Sequence, residues 1–399
     1  RILSSAASDV YKRQMLKSIL VMSILPAQLV FGDIIGELKF DNRYFFNVGL
    51  QDQKKNHSSF SFSPEIFKDD SNRIFHFKAK LRKDSEDSGR NLNDIQELYL
   101  INIFEDKEIK FGVSKEFWGV TETSHRVDIV NQTDFTEGFD GEEKLGQPMI
   151  KISFERPWGL LDIYALLGFR ERNFSGTKGR LRLPLSINEK NSLYSSSSKN
   201  KRVDFAFRWS NYYDDLDIAI SHFSGTSREP RFLPSPNEIN ALVPLYEVID
   251  QTGLEIQYLL DSLAIKGEVI SRSGHGDRYT AATYGFELTQ VGFLQTRMDL
   301  GWVVEFNHDD RLESSPFVLG TRFSFNDIYD SQILSGFIIN DRSKELGFLL
   351  EASRRIGECC LLSLEGVYFD DTDEDNGKQK LFQAFMEDDF LRAEFIYYL

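Results

Sequence analysis

Along most of this chain apolar and polar residues alternate with a period of two, in segments of about ten residues set apart by turn-forming clusters. From Gly36, Leu38, Phe40, Tyr44 and Phe46 fall on one side while Glu37, Lys39, Asp41 and Arg43 fall on the other. In Arg73 to Lys83, Phe75, Phe77, Ala79 and Leu81 alternate with His76, Lys78, Lys80 and Arg82, which puts four potential cations on one face of one strand. Met298, Leu300, Trp302, Val304 and Phe306 opposite Arg297, Asp299 and Glu305 is the cleanest alternation in the second half. The same rhythm predicts strands over Ser58–Phe67, Ile109–Val113, Ile150–Glu155, Leu161–Phe169, Val203–Trp209, Leu216–His222, Leu254–Leu260, Leu263–Arg272, Thr283–Thr289, Phe317–Phe325, Ile333–Ile339, Leu346–Ala352 and Leu362–Phe369. Ile95 to Phe104 is also a strand, but its faces are ambiguous because Leu98, Tyr99, Leu100 and Ile101 are all apolar. The chain ends on one more, with Leu391, Ala393, Phe395, Tyr397 and Leu399 on one face and Arg392 and Glu394 on the other.

These segments make about 18 strands, with 16 as the alternative. A strand with a charged face and an apolar face fits a closed wall that has water inside and lipid outside. Closure also removes the exposed edge that the aromatic last strand would otherwise present. The connections alternate in length. Short ones lie at 69–72, 105–107, 156–159, 211–215, 260–262, 290–294, 326–331 and 356–358, longer ones at 84–93, 117–147, 171–200, 224–250 and 371–387. Short turns on one rim and long loops on the other are the asymmetry of outer-membrane barrels, and a secreted β-sandwich does not account for it. The expected fold is therefore an all-β antiparallel transmembrane barrel.

The front of the chain does not share the pattern. Residues 1–14 precede the first Met and read as a non-native, adaptor-like extension. Residues 15–32, with Lys17 before a short interrupted apolar run, read as a signal peptide cut after Gly32, with Ala27 as the other option. Residues 33–399 are then a single barrel domain. Removing 1–32 takes four basic residues (Arg1, Lys12, Arg13, Lys17) and one acidic (Asp9) from 47 Lys plus Arg and 62 Asp plus Glu, leaving a net charge of −18. Such acidity argues against nucleic acid as a partner. Cys359 and Cys360 are neighbours that would face opposite sides of a strand, so they are expected to be free thiols and neither a disulfide nor a metal site.

Segment 117–147 is too long for a plain connection, and it carries Trp118, Phe135, Phe139 and the apolar Val127, Ile129 and Val130, so disorder is the poorer reading. Folded inward, it would narrow the lumen and set Trp118, Glu122, His125, Arg126, Asp128 and Asp134 at the constriction; folded outward, it would pack on the rim. His76, Lys78, Lys80, Arg82, Arg170, Arg172 and Arg208 are candidates for a positive strip in the lumen, where ladders of charge set ion preference. Their alternative is pairing with acidic neighbours such as Glu37, Asp41 and Glu155. The six histidines are scattered singly, with no GxSxG, HExxH or CxxC beside them, so no catalytic residues, metal or cofactor are expected.

Two resemblances add to this. The tail ending in Phe395, Tyr397 and Leu399 resembles the C-terminal assembly signal of bacterial outer-membrane proteins, though that signal usually ends in Phe. ELYL (Glu97–Leu100), FGVSKEFWGVTE (Phe111–Glu122), VDIVNQTDF (Val127–Phe135) and KLGQP (Lys144–Pro148) resemble porin-like outer-membrane proteins of Gram-negative bacteria, particularly the uncharacterised DUF1302-type group. FRERNFSGTKGR (Phe169–Arg180), SHFSGTSREP (Ser221–Pro230) and YEVIDQTG (Tyr246–Gly253) look similar to loop entrances of related sequences. The resemblance implies a channel or transport barrel whose partners are the outer-membrane bilayer, the barrel-assembly machinery and small solutes. It brings no substrate and no catalytic residue. The expectation is a porin-like channel for small solutes, anionic ones if the basic strip is free. The alternative is a barrel specific for a hydrophobic or organic compound, and a barrel enzyme comes third.

Overall fold

Strands form wherever one side chain in two is apolar, and each barrel strand pairs with the next barrel strand along the chain. The computed structural model describes residues 33–138, 141–340, 342, 344–371 and 382–399; the expected extension and signal peptide lie outside them. The first half contains β1 (Asp33–Phe45), β2 (Asn56–Asp70), β3 (Arg73–Asp84), β4 (Leu92–Ile103), β5 (Glu108–Ser114), β6 (Gln147–Arg156), β7 (Gly159–Leu167), β8 (Ser186–Ile187), β9 (Leu193–Tyr194), β10 (Val203–Tyr213) and β11 (Leu216–Thr226). The second half contains β12 (Arg231–Pro234), β13 (Ala241–Tyr246), β14 (Val248–Leu260), β15 (Leu263–Ser273), β16 (Tyr279–Gln290), β17 (Asp299–Asp309), β18 (Phe317–Ser324), β19 (Gln332–Ile339), β20 (Glu345–Ile356), β21 (Cys360–Asp371) and β22 (Phe390–Tyr398).

Eighteen of these, all but β8, β9, β12 and β13, form one antiparallel sheet. It closes because β22 pairs with β1, in register from Glu37 opposite Tyr398 to Phe45 opposite Phe390. The protein is thus an all-β closed barrel, and no barrel strand is left with an unpaired edge. Phe395 stands opposite Phe40, Tyr397 stands opposite Leu38, and Leu399 donates its amide to the Gly36 carbonyl at 2.8 Å. The tail is therefore the closing strand of the wall.

Alternation sorts side chains to the two faces. Phe40, Phe60, Phe111, Phe205, Tyr284 and Leu364 are each at least half exposed on the outside, although they belong to the residue types that water-soluble proteins bury. A continuous apolar exterior of this kind marks contact with lipid or protein. The inward-facing Asp41, Lys80, Arg82, Asp204, Glu255 and Glu305 are buried. The ambiguous strand is settled by a bulge: opposite Lys78 and Ala79, β4 inserts Gln96, which moves Leu98 and Leu100 outward and Tyr99 inward onto His76.

On one rim four of the connections, at 71–72, 157–158, 214–215 and 261–262, are two-residue turns. Positive φ at Ser71 (36°), Asp214 (52°) and Asp261 (47°) gives three of them the twist that tight hairpins need. On the other rim, the connections after β7 and β11 build a small sheet of their own: β13 pairs antiparallel with β12 and parallel with β8 and β9. The expected plain loops at 171–200 and 224–250 are in this respect corrected. So is the expectation of free thiols, because Cys359 and Cys360 are joined as a disulfide. Gly357, at φ 66°, opens a turn that takes Cys359 out of the strand alternation, so the two sulfurs need not face opposite sides.

Candidate functional site

The lumen is filled by the chain between β5 and β6. Among its described residues segment 115–146 has no strand of its own beyond a bridge between Thr133 and Lys144, so its backbone and side chains must find partners on the barrel wall. It leaves the wall at Ser114 and returns at Gln147, which are paired, and between them it crosses the interior.

Its middle is an apolar seat. Trp118, Val127, Ile129 and Val130 are at most 3% exposed and pack with Met149, Tyr164, Leu166, Ala206, Phe223, Ile249, Ile270, Tyr279 and Ala281 from the inner wall. Trp118 meets Tyr164 edge to face with ring centroids 5.6 Å apart. The Arg228 guanidinium donates to the Val130 carbonyl at 2.9 and 3.1 Å. Gly253 has no side chain because a Cβ there would stand 2.8 Å from Val127.

One end is an ionic anchor. Asp134 accepts from Arg82 at 3.2 Å and from Asn173 at 2.7 Å. Glu137 lies 3.2 Å from both Lys39 and Arg392 and also pairs with Arg82. Burial raises the Asp134 carboxyl, but the Arg82 charge, hydrogen bonds from Thr136 and Asn173 and the Lys80 charge together outweigh it and hold that carboxyl below its usual range.

The tip is held by carboxylates that receive backbone N–H groups. Glu268 accepts from the amides of Val120 (2.7 Å), Thr121 (3.0 Å) and Val127 (3.2 Å) and from the Thr121 hydroxyl (2.7 Å). Glu305 accepts from the amides of Glu122 (2.8 Å) and Thr123 (2.9 Å) and from the Thr123 hydroxyl. Glu122 itself reaches Lys266 at 2.7 Å and Arg322 at 3.1 Å. Arg126 donates to Thr283 and Asn307, with Asp309 3.6 Å away. His125 lies 3.1 Å from Glu142 and 3.9 Å from Glu268; burial lowers its pKa, but the two carboxylates more than reverse this and lift it to about 10. Asp128 pairs with Lys144 at 3.1 Å, and burial nonetheless leaves its carboxyl raised.

All six residues expected at a constriction, Trp118, Glu122, His125, Arg126, Asp128 and Asp134, therefore sit on the segment that crosses the lumen. The seven basic residues divide. His76 and Lys78 share Glu65 at 2.8 and 3.0 Å, Lys80 lies 3.6 Å from Glu137 and Glu143, and Arg82 holds Asp134. Arg208 makes two 2.8 Å hydrogen bonds to Glu255. Arg170 and Arg172 lie beyond β7 on the long-loop rim, where Arg170 pairs with Asp94 at 2.6 Å and Arg172 donates to Gln132. Partner acids occupy the strip; of the expected Glu37, Asp41 and Glu155, Glu37 acts on Lys78 only from beyond ion-pair distance, and Asp41 pairs instead with Arg43, Arg90 and Arg392. Glu268, Lys266 and Arg322 were not singled out from the sequence, and Glu305 was read only as a polar-face residue of its strand. Alternation puts them on the inner face, but nothing local ties them to a segment far upstream.

The fold and its contents define a class: a closed 18-stranded barrel with a lumen occupied by one of its own connections. No family model matches the chain, the DUF1302-type group included, and no curated protein matches it. Among solved structures the chain is similar to Wzi of Escherichia coli, an outer-membrane protein involved in group 1 capsule assembly and a carbohydrate-binding β-barrel. The TM-score is 0.58 at 10% identity, over 100% of this chain and 89% of that one. A mutant porin of Rh. blastica aligns over 92% of this chain and 99% of its own, with a TM-score of 0.45 at 9% identity. At these identities the likeness to Wzi is one of fold.

Proposed function

We propose that the protein is an outer-membrane barrel that acts as a gated channel for small solutes, held shut by segment 115–146. The observation that carries this is the attachment of that segment to opposite walls of the lumen, through Glu268 and Glu305 on one side and Arg82 and Arg392 on the other. An open diffusion pore keeps a water-filled interior lined by exposed charge. Here Asp41, Arg82, Asp162, Glu255, Glu268 and Glu305, spread around the wall, are all buried. A membrane location is supported by the apolar exterior. Among the described residues no helix is long and apolar enough to cross a bilayer, so the strands are the elements that would do so. The basic residues of the inner wall already have acidic partners, which removes the reason to favour anionic solutes.

The test is conductance in planar bilayers. Ser114 and Gln147 are paired neighbours, so a short Gly-rich linker can replace 115–146 without straining the wall. Wild-type protein is expected to conduct rarely and the linker variant continuously. A linker variant that keeps its β circular dichroism and carries no current would overturn the reading.

A further inference from the structure

The segment is not held equally along its length. Its middle is seated in apolar packing and its far end is locked by guanidinium–carboxylate pairs, but residues 119–126 are tied to the wall by hydrogen bonds and ion pairs, with His125 also edge to face on Phe117 of the segment itself. Thr123 is exposed, and Glu122, His125 and Arg126 are half-buried. Gly119 enters this tip at φ 140°, where a Cβ would stand 2.8 Å from the Glu268 carboxylate. Glycine at that position permits both the turn and the close approach.

Building on the channel reading, we propose that residues 119–126 are the gate and that the wall beneath them, Lys266, Glu268, Glu287, Glu305 and Arg322, makes the opened channel prefer cationic solutes. With the tip seated, Glu268 and Glu305 are saturated by its N–H and O–H groups, and Glu122 supplies the carboxylate that faces Lys266 and Arg322. When the tip leaves, Glu122 and Arg126 leave with it. The wall then keeps the carboxylates of Glu268, Glu287 and Glu305 against the cations Lys266 and Arg322. Both cations already lean on Glu287, at 2.8 and 3.5 Å, while Asp309 stays with Arg311 at 2.7 Å. Among the described residues Glu268 and Glu305 have no cation of their own on this wall, so the uncovered surface is acidic, and charge lining a narrow path selects its counter-ion. The carboxylates that latch the gate become the selectivity surface once it is open.

Three variants test this in bilayers under a KCl gradient. Replacing 120–126 with two glycines keeps the apolar seat and the ionic anchor, and it is expected to open the channel with a reversal potential on the cation side. Adding Glu268→Gln and Glu305→Gln to that variant is expected to abolish the cation preference. Thr123→Cys with Asn307→Cys, whose native side chains are 3.1 Å apart, is expected to hold the channel shut until reductant is added. Wild type with reductant is the control for the Cys359–Cys360 bridge. The inference is overturned if the tip-shortened protein stays silent while the variant lacking all of 115–146 conducts, or if it conducts with no cation preference. Silence from both overturns the channel reading itself.

Discussion

Phe207 and Arg208 are consecutive residues of β10 that face opposite ways, and together they test the whole arrangement. Phe207 is 43% exposed on the outer face, beside Ile163 of β7 and His222 of β11. If that face meets lipid, Phe207→Arg costs two things. An aromatic side chain offers roughly 200 Å², so the exposed part is on the order of 85 Å², worth about 2 kcal/mol at ~25 cal/mol per Å². A charge near the bilayer midplane adds about 2–4 kcal/mol. The sum, about 4–6 kcal/mol, shifts the unfolding equilibrium by roughly 10³ to 10⁴. If the face meets water instead, an exposed substitution changes stability by no more than about 0.5 kcal/mol. Guanidinium titration of protein refolded into liposomes, read by tryptophan fluorescence, separates the two. A variant whose midpoint and slope match wild type would refute the lipid-facing assignment, and with it the inside–outside sorting of every strand.

Further perturbations probe the interior. Arg208→Met leaves Glu255, 1% exposed, without its partner and should cost about 3–5 kcal/mol, whereas Arg208→Met with Glu255→Met should recover most of that loss in the same titration. His125 has its pKa raised to about 10, so its contribution to holding the tip is complete below about pH 6.5 and is lost as pH rises through about 10. In a variant with Trp158, Trp209 and Trp302 replaced by Phe, so that Trp118 alone reports, fluorescence should change across that upper range, and adding His125→Asn should abolish the transition. Gly253→Ala drives a methyl into Val127 and Ser221, each 2.8 Å away, and should loosen the segment by about 1–3 kcal/mol, read as faster hydrogen exchange across 118–130 with little change in the strands.

The wall was legible because each strand carries its own signal. In Arg73 to Lys83 the alternation alone places Phe75 and Leu81 outside and Lys80 and Arg82 inside, as in the structure. It failed where the signal was diluted. Leu98 to Ile101 has no polar member to mark a face, and the bulge at Gln96 that decides the matter has no sequence signature. The start of β14 carries outward-facing Asp250 and Thr252, so it read as loop and the strand was expected only from Leu254. β8 and β9 have two residues each, too few to show any period. In segment 115–146, Val127, Ile129 and Val130 argue for burial but do not say against what.

An irregular segment inside a barrel faces an accounting problem that its neighbours solve. Strand amides are consumed by the ladder, but those of 120–127 have no ladder to join, and a buried N–H left without an acceptor costs about 1–3 kcal/mol. The wall cannot lend backbone carbonyls without breaking its own pairing, so it lends side chains: Glu268 and Glu305 take five of those amides between them. An apolar wall could seat Val127 and Ile129 but would leave these donors orphaned. A water-filled lumen would satisfy them at no gain in attachment. Inward carboxylates on β15 and β17, with β16 between them, do both, and they bind by charge-assisted hydrogen bonds and not by packing, which is what would let the tip leave under the gate proposed above.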